Sequence, residues 1–289
     1  MQTTVDGLNK KVLKRTFVDV WSDWEKIIKK PNPTTGGFEQ FKKEIKSKKI
    51  EKIWRRAKNV IFDLSGGLSL LVHQKMTGHL LVGNWEMSGG KWKPVKEGPL
   101  NDPYNRFLHL IFFLDDRKMM ALSDARKFAK VELWKTGELL NSKEFKNIGP
   151  EPLDKNFTLE KFKEILKGKK GKVKHILMNP EIIAGIGNIY SSEILWEAKI
   201  HPEKNVSKLS EKDLEAIYKN IKKVLELGVR LGGESFSDYR KPDGTKGDFD
   251  TERKAYKREG QKCSRCGTKI KRIKIGGRSA FFCPVCQKL

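Results

Sequence analysis

Residues Cys263-Ser-Arg-Cys266 and Cys283-Pro-Val-Cys286 contain all four cysteines of this 289-residue chain. Two Cys-x-x-Cys pairs at this separation match a tetrahedral four-cysteine zinc site, because one tight turn can present two thiolates to the same ion. Four thiolates close the coordination sphere, so the zinc is expected to stabilise the fold and not to catalyse. The alternative is a pair of disulfides, which is disfavoured because no secretory signal is recognised.

The segment between the two cysteine pairs predicts a β-hairpin. Basic and apolar residues alternate over 269–275, Gly276-Gly277 supplies a turn, and the chain returns over 278–282. From Lys257 to Leu289 there are ten Lys and Arg residues and a single Glu. The end of the chain is therefore predicted to be a rigid zinc ribbon with a basic face and Arg278 beside its tip.

The composition of the whole chain indicates a polyanionic partner. The chain contains 60 Lys and Arg residues and 36 Asp and Glu residues, which gives a formal net charge of +24. Such a charge favours nucleic acid, because binding releases condensed counterions; a basic surface without a specific partner is the alternative. The length predicts two domains plus the ribbon, and no apolar run is long enough to predict a membrane span.

The first half of the chain predicts mostly β structure. Val5, Leu8, Val12 and Leu13 indicate one short helix ahead of it. Residues 32–37 are rich in Pro, Thr and Gly and predict a loop. Strands are predicted at 17–21, 61–64, 68–73, 80–82, 108–114 and 118–122. This half therefore predicts a sandwich or barrel that ends near residue 134.

After about residue 145 the pattern becomes helical. Residues 147–152 are a Gly/Pro linker, and Ser210 with Asp213 forms a capping box ahead of an apolar helical stripe. Gly232-Gly233 is expected to end that helix. Residues 234–255 are polar and lack periodicity, so they predict a mobile loop. Further helical segments are predicted at 158–166, 172–178 and 188–198.

Several short motifs are candidates for contact with a nucleic-acid backbone. Gly185-Ile186-Gly187 leads into a helix at Asn188, and the N–H groups at a helix start suit a phosphate. A helix-turn-helix with no ligand is the alternative, but the net charge and the ribbon favour a DNA-backbone clamp. Lys58, in a basic cluster at the start of a strand, is either solvent-facing or a phosphate contact.

Met76 and the group Arg126-Lys127-Phe128 each lie near the end of a predicted strand. A basic pair beside an aromatic ring can reach into a duplex, with the ring wedged between bases. The alternatives are an ordinary core methionine and a solvated turn with a buried Phe128. The residues themselves leave both pairs of alternatives open.

The chain resembles the bacterial formamidopyrimidine-DNA glycosylase and endonuclease VIII family, and is closest to the formamidopyrimidine branch. The resemblance runs from residue 2 to residue 289. The motifs that carry it are 55-RRAK-58, 73-HQKMTG-78, 124-DARKF-128, 185-GIGNIYSSE-193, 200-IHP-202, and Gly277-Arg278 within the cysteine ribbon.

The resemblance implies an α+β multidomain architecture, with an N-terminal β-sandwich, a helix–two-turns–helix domain and a C-terminal four-cysteine zinc ribbon. The corresponding bounds in this chain are 1–140 for the sandwich, 141–157 for a linker, 158–256 for the helical domain and 257–289 for the ribbon. Within the helical domain, residues 234–255 correspond to the family's lesion-capping loop. In the family, DNA lies between the two halves.

The resemblance also implies roles for individual residues. Met76, Arg126 and Phe128 are expected to fill the space left by an everted nucleotide, with Arg126 facing the orphan base and Phe128 wedging the stack. Phosphates around the lesion are expected to be held by Lys58, His73, Lys174, Asn188, Tyr256 and Arg278. Zinc is expected as one structural ion on Cys263, Cys266, Cys283 and Cys286.

The family's chemistry uses an N-terminal proline amine, which attacks C1′ of the sugar and forms a Schiff base, helped by a neighbouring Glu. The family begins Met-Pro-Glu-Leu-Pro-Glu-Val, whereas this sequence begins Met1-Gln2-Thr3-Thr4, and Gln2 aligns after that opening. We expect a late start assignment rather than a true truncation. In the sequence as printed, the amine of Met1 or Lys58 is the candidate for weak lyase action, and Lys58 is the candidate catalytic residue.

The resemblance implies a base-excision-repair DNA glycosylase and AP lyase, a hydrolase and lyase that removes 8-oxoguanine and formamidopyrimidines from double-stranded DNA. The alternative is a non-catalytic damaged-DNA-binding protein of the same fold, and a more distant one is a zinc-ribbon factor without lesion specificity. The protein is expected to be a cytoplasmic, nucleoid-associated monomer with no membrane partner.

Overall fold

The computed structural model describes residues 1–29, 37–235 and 238–289, and its contacts divide into two compact units. Unit 1 consists of Met1–Lys146 and Gly232–Asp250. Unit 2 consists of Asn147–Leu231 and Thr251–Leu289. Most of the loop predicted at 32–37 lies outside the described residues.

Unit 1 is built around two four-stranded antiparallel sheets within its described part. One sheet has the strand order β1-β8-β9-β5, and the other has the order β10-β4-β3-β2. This arrangement confirms the predicted β-sandwich, including the hairpin that pairs Leu64 with Leu68. The strands are β1 (Phe17–Ser22), β2 (Ile50–Arg56), β3 (Asn59–Leu64), β4 (Leu68–His73), β5 (His79–Gly83), β6 (Trp85–Ser88), β7 (Lys91–Pro94), β8 (Leu108–Leu114), β9 (Met119–Ser123) and β10 (Lys130–Lys135).

The alternation of side chains along each strand places the core between the sheets. On β8, Leu110, Phe112 and Leu114 enter the central core, whereas Ile111 faces the other side of the sheet. That outer face is covered by the β6–β7 hairpin, whose Trp85 joins Ile111 in a second apolar cluster. Sequence analysis did not predict this hairpin, because its alternation is short and mostly exposed.

The helices of unit 1 close the edges of the sandwich. Helix α1 (Gln2–Val12) buries Val5, Leu8 and Val12 on one side, which confirms the predicted helix. Helix α2 (Gly37–Ile45) buries Phe41 in the same core and was not predicted. Two short helices, α3 (Thr136–Asn141) and α4 (Lys143–Lys146), follow β10.

By its contacts, the stretch Gly232–Asp250 packs with unit 1. The main-chain N–H of Val82 donates to the carbonyl of Pro242 at 2.7 Å. The guanidinium of Arg240 lies 3.0 Å from the Asp102 carboxylate, and Arg240 is only 1% exposed. The described part of the predicted mobile loop is therefore packed, because its polar groups pair with the sandwich.

Unit 2 contains the predicted helices. They are α5 (Leu159–Leu166), α6 (Val173–Met178), α7 (Asn188–Glu197) and α8 (Glu211–Arg230), with α9 (Phe249–Glu252) at the boundary between the units. The predicted capping box is confirmed, since Ser210 accepts from the N–H of Asp213 while the Asp213 carboxylate accepts from Ser210. Helix α8 ends before Gly232, whose φ of +76° suits glycine.

Close packing in unit 2 fixes α7 between α8 and the ribbon. A Cβ on Gly228 of α8 would lie 2.6 Å from the Tyr190 ring, so this crossing needs a glycine. The predicted ribbon hairpin is confirmed as β11 (Lys271–Ile275) paired with β12 (Arg278–Phe282). Its Phe281 shares a buried cluster with Trp196 of α7. Among the described residues, no helix combines the length and apolar character needed to cross a membrane.

Candidate nucleic-acid interface

Two turns of unit 1 are joined through the buried carboxylate of Asp124. Its Oδ2 accepts from the N–H groups of Phe128 and Ala129, each at 2.7 Å. Its Oδ1 accepts from the hydroxyl of Thr77, which lies in the turn between β4 and β5. The turn after β9 is therefore rigidly tied to the turn after β4, since charge-assisted hydrogen bonds are stronger than neutral ones.

The two turns expose large side chains that would ordinarily be buried. Met76 is 70% exposed and Phe128 is 52% exposed. The guanidinium of Arg126 contacts both, with Nη1 3.5 Å from the Met76 sulfur and Cζ 4.6 Å from the Phe128 ring centroid. The alternatives of a core methionine and a buried phenylalanine are therefore wrong, and the structure brings these three predicted residues together.

His73 lies at the end of β4, close to a group of lysines. Burial and, to a smaller extent, the charges of Lys75, Lys130 and Lys58 together lower the pKa of His73 to about 4. Its Nδ1 accepts from the main-chain N–H of Lys75 at 3.0 Å. The ring is neutral at pH 7, so Nε2 carries the proton and can donate to a phosphate oxygen.

Lys58 lies in the turn between β2 and β3 and is exposed. Its charge contributes to the lowered pKa of His73 and also to that of the Met1 amine. The pKa of the Met1 amine is lowered to about 5, because the amine is buried and because Arg55 and Lys58 repel its charged form. An amine with this pKa is neutral at pH 7 and is therefore nucleophilic.

Lys174 on α6 does not lie on the surface as expected for a phosphate contact. Its side chain is fully buried, and Nζ donates to the Asn188 carbonyl at 3.1 Å and to the hydroxyls of Ser191 and Ser192 at 2.9 and 2.8 Å. Burial lowers the pKa of Lys174 to about 7, against the raising effect of Glu193. Lys174 therefore stabilises the first turn of α7 from the buried side of the helix, because Nζ donates to three acceptors in that turn.

Asn188 and Tyr256 lie together in an open pocket of about 370 Å³ in unit 2. The buried Oδ1 of Asn188 has no hydrogen-bond partner among the described residues, so the amide is available to a ligand. Tyr256 packs edge-on against Phe281 with ring centroids 5.1 Å apart. The other residues that line the pocket are Lys257, Glu259, Arg272 and Ser279.

Tyr256 is positioned by the buried carboxylate of Glu193 on α7. Glu193 accepts from the main-chain N–H groups of Lys254, Ala255 and Tyr256 at 2.7, 3.1 and 2.7 Å. Burial raises the pKa of Glu193, while these three hydrogen bonds and the charge of Arg253 oppose the rise. Glu193 stands in the motif 185-GIGNIYSSE-193, but nothing in the local sequence pattern indicates its distant partners.

The tip of the ribbon lies beside α6. A Cβ on Gly276 would lie 2.9 Å from Nδ1 of His175, so glycine permits the close approach. Arg278 follows this tip at the start of β12, is exposed, and contributes to the lowered pKa of Lys174. Arg278 is thus close to the start of α7, where Asn188 lies.

The four cysteines are arranged as a metal site. All four Sγ atoms lie within 4.8 Å of one another, and those of Cys266 and Cys283 are 3.4 Å apart. A zinc ion bound to four thiolates separates the sulfurs by about 3.8 Å, so the residues fit this ion. The site is anchored to α7, because Arg265 lies 3.9 Å over the Trp196 ring and donates to the Trp196 carbonyl at 3.0 Å.

These features suit a nucleic-acid duplex. Unit 1 offers a rigid apolar and cationic projection of Met76, Arg126 and Phe128. Unit 2 offers the N-terminus of α7, where the side-chain Oδ1 of Asn188 has no partner among the described residues, and the guanidinium of Arg278 lies close to Lys174. Helix N-termini and basic side chains bind phosphate, whereas exposed apolar groups insert between bases.

Three family models match this chain. The formamidopyrimidine-DNA glycosylase N-terminal domain matches residues 1–131, and the formamidopyrimidine-DNA glycosylase H2TH domain matches residues 148–240. The zinc finger found in FPG and IleRS matches residues 260–289. The three matches follow one another along the chain in the order that the resemblance implied.

Curated and solved relatives match over nearly the whole chain. The formamidopyrimidine-DNA glycosylase of Desulforamulus reducens is 33% identical over 99% of this chain and 91% of its own length. That of Pelotomaculum thermopropionicum is 35% identical over 96% and 92%. The Lactococcus lactis Fpg, solved in complex with an abasic site containing DNA, is 33% identical with a TM-score of 0.85, over 100% of this chain and 98% of that one. The chain therefore belongs to the formamidopyrimidine-DNA glycosylase family.

Proposed function

We propose that this protein is a base-excision-repair glycosylase that removes oxidised purines, 8-oxoguanine and formamidopyrimidines, from double-stranded DNA. Relatives at 33–35% identity bear the name formamidopyrimidine-DNA glycosylase. A solved relative with a TM-score of 0.83 is MutM in complex with carbocyclic 8-oxo-G containing DNA. The damaged base must leave the stack before its glycosidic bond can be cut.

The observation that carries the proposal is the exposed group of Met76, Arg126 and Phe128. Met76 and Phe128 are 70% and 52% exposed, yet Asp124 and Thr77 hold their turns rigidly. Exposed apolar groups on an ordered turn lose little conformational entropy when they enter a base stack. Phe128 would wedge between bases, Met76 would fill the gap and Arg126 would donate to the orphan base.

The phosphates beside the lesion would be held by groups in each unit. In unit 1, neutral His73 can donate from Nε2, and Lys58 is exposed nearby. In unit 2, Asn188, Tyr256 and Arg278 offer an amide, a phenol and a guanidinium. Lys174 would act by fixing the Asn188 turn, because its own donors are occupied.

The glycosylase step would use an amine nucleophile. Its nitrogen attacks C1′, the N–C1′ bond forms as the bond from C1′ to the damaged base breaks, and the base leaves with a proton. The C1′–O4′ bond of the resulting aminal then breaks as O4′ takes a proton, and the iminium so formed allows loss of a C2′ proton and expulsion of the 3′ phosphate, which is the AP lyase step. In the sequence as printed, the candidate amines are those of Met1 and Lys58, and the amine of Met1 has a pKa of about 5.

The four cysteines would hold one structural zinc ion. Zinc supplies folding energy to a ribbon of this size, and Cys263, Cys266, Cys283 and Cys286 leave no ligand position open. The protein would act as a monomer associated with the nucleoid in the cytoplasm.

The test compares two proteins on one substrate. The first is the chain as printed, and the second carries Pro-Glu-Leu-Pro-Glu-Val ahead of Gln2 behind a removable Met. Each is incubated with a duplex that contains one 8-oxoguanine opposite cytosine, and borohydride is added to trap a Schiff base. We expect strand cleavage and a covalent complex from the second protein, and neither with undamaged duplex.

The outcomes separate the candidate functions. Lesion-dependent binding without any trapped complex from either protein would favour the non-catalytic damage-binding protein. Equal binding to damaged and undamaged duplex would overturn the proposal and leave a general nucleic-acid-binding factor. A complex that the printed chain forms on abasic DNA and that Lys58→Arg abolishes would assign that lyase action to Lys58, because arginine cannot form the Schiff base.

A further inference from the structure

A buried polar network in unit 1 ties the segment 239–247 to the sandwich. Asn105, in the 3₁₀ turn Pro103–Arg106, is 1% exposed and its Nδ2 donates to the carbonyls of Pro99 at 2.9 Å and Gly244 at 3.2 Å. A buried amide that meets two carbonyls must direct its nitrogen toward them, because carbonyls only accept. The orientation of Asn105 is therefore fixed.

The remaining atom of that amide meets His79. Oδ1 of Asn105 lies 2.9 Å from Nε2 of His79, which is 1% exposed at the start of β5. Since Oδ1 accepts, Nε2 of His79 carries the hydrogen. Because Nε2 carries the only hydrogen of the neutral ring, the 3.2 Å approach of Nδ1 to the carbonyl of Thr77 is a packing contact and not a hydrogen bond. His79 is therefore wedged between Asn105 and the turn that precedes β5.

The same Thr77 is part of the connection that holds the exposed group. Its hydroxyl donates to the Asp124 carboxylate, and that carboxylate accepts from the N–H of Phe128. A continuous set of buried contacts thus runs from Gly244 through Asn105, His79 and Thr77 to Asp124. Every member except the Gly244 carbonyl belongs to the sandwich.

The segment is held at further points. Arg240 is 1% exposed, pairs with Asp102 at 3.0 Å and lies 4.6 Å over the Tyr104 ring. The hydroxyl of Tyr239 lies 3.3 Å from that of Thr4 on α1. Asn105 shares the 3₁₀ turn Pro103–Arg106 with Tyr104, and Asp102 caps the start of that turn, so loss of the Asn105 contacts would loosen the whole attachment.

We propose that Asn105 and His79 are positioning residues for lesion recognition, which couple the placement of segment 239–247 to the turn that carries Met76. The proposal rests on the proposed function, because it assumes that Met76 enters damaged DNA. Coupling of this kind is reciprocal, so a contact that orders segment 239–247 should also order the turn that carries Met76, and the reverse should hold.

The first measurement is the accessibility of the segment. Trypsin can cut after Arg240 and after Lys246, and both bonds lie in the attached segment. We compare Asn105→Ala with Asn101→Ala, an exposed asparagine in the neighbouring 3₁₀ turn Pro99–Asn101. Cleavage at these two bonds should accelerate about tenfold in Asn105→Ala and remain unchanged in Asn101→Ala.

The second measurement is of DNA binding alone, so it does not require a glycosylase or lyase reaction. Affinity is measured for a duplex with a tetrahydrofuran abasic analogue and for the same duplex undamaged, and 2-aminopurine opposite the analogue reports displacement of the orphan base. Asn105→Ala should reduce the ratio of the two affinities about tenfold and reduce the fluorescence change. The affinity for undamaged duplex should remain unchanged, because Asn105→Ala does not alter the basic surface.

His79 supplies a second pair of variants. His79→Gln keeps an N–H that can donate to Asn105, whereas His79→Leu removes it. The glutamine variant should retain most of the lesion preference, and the leucine variant should resemble Asn105→Ala. Thermal unfolding of each variant shows whether the sandwich is folded. If His79→Leu does not fold, the comparison of His79→Gln with Asn105→Ala still tests the proposal.

The outcomes distinguish this inference from the proposed function. A wild-type protein without preference for the tetrahydrofuran duplex would overturn the proposed function. A wild-type protein with that preference, matched by a folded Asn105→Ala or His79→Leu, would overturn the coupling alone. Faster tryptic cleavage with unchanged lesion preference would also overturn it, since the two ends would then move independently.

Discussion

The exposed group of unit 1 and the start of α7 in unit 2 are each organised by one buried charged side chain, but the two charges have opposite signs. Asp124 accepts from main-chain N–H groups and so determines the course of a turn. Lys174 donates to a carbonyl and two hydroxyls and so fixes the first turn of a helix. In both units, the exposed residues that would meet DNA depend on a charge that does not reach the surface.

The surroundings of Asp124 and Lys174 differ in how well they stabilise the buried charge. The Asp124 carboxylate has four donors, which are the Thr77 hydroxyl and the N–H groups of Arg126, Phe128 and Ala129, and charge-assisted bonds of this kind are strong. Lys174 places a cation at a helix N-terminus, where the helix dipole opposes it. Burial accordingly lowers the pKa of Lys174 to about 7. Unit 2 should therefore respond to pH near neutrality through Lys174.

The largest expected effect is in unit 2, on removal of zinc. A structural zinc site of this kind contributes about 10 kcal/mol or more to folding. A strong chelator should unfold the ribbon, release Arg278 and Tyr256, and abolish preferential binding to a lesion duplex. Circular dichroism and fluorescence anisotropy check this, and added zinc should restore both. A metal-free protein that keeps its lesion preference would show that the ribbon folds without the ion.

The next largest effect is expected from Asp124→Ala in unit 1. The N–H groups of Phe128 and Ala129 would lose their acceptor, and we expect a loss of about 3 kcal/mol in the free energy of unfolding. Asp115→Ala, in the exposed turn between β8 and β9, is the matched control and should change stability little. Urea unfolding measures both variants, and equal stabilities would exclude a structural role for the Asp124 carboxylate.

The substitution Lys174→Met removes the buried positive charge of unit 2. The folded protein lowers the pKa of Lys174 from 10.5 to about 7, so the unfolded state binds more protons between these values and stability rises with pH. The rise from pH 7 to pH 9 should be about 2 kcal/mol in the wild type and absent in Lys174→Met. The exposed Lys170→Met serves as control and should keep the rise. A wild-type stability that is flat over this window would contradict the buried-cation account.

The smallest effect is expected at His73. Its pKa of about 4 lies below the ordinary value of 6.5, so the unfolded state binds more protons and stability is lost as pH falls below about 6.5. From pH 7 to pH 5 the loss should be up to about 2 kcal/mol and should shrink in His73→Gln. Thermal unfolding over this range measures it, with His109→Gln as a control for loss of a histidine. An unchanged pH profile in His73→Gln would show that another group titrates.

Local patterns predicted many of the helices and strands and several of the exposed residues. Alternation identified β1, β3, β4, β5, β8 and β9 of the sandwich but not β2 or β10, and the capping box at Ser210 identified the start of α8. Spacing alone indicated the four-cysteine site, because each Cys-x-x-Cys pair is a short-range feature. Met76, Arg126 and Phe128 were quoted from motifs that the structure brings together.

Long-range partners were not predictable in this way. Asp124, Glu193 and Asn105 bind residues of distant segments, and no periodicity marks a carboxylate that accepts from such residues or an amide that donates to them. The segment after Gly232 was expected to be mobile because it is polar. It is attached because Arg240 and Asn105 satisfy its polar groups within unit 1.

The amino-acid sequence by itself determined a mostly β first half, the order of the main helices and the zinc ribbon, since each depends on side-chain periodicity or on residues a few positions apart. Only the tertiary structure decided that Lys174 supports α7 from beneath and that residues Gly232–Asp250 join unit 1. The physical reason is that the cost of burying a charge or a polar loop depends on the partners available at that site. Those partners come from segments that meet only when the chain is folded.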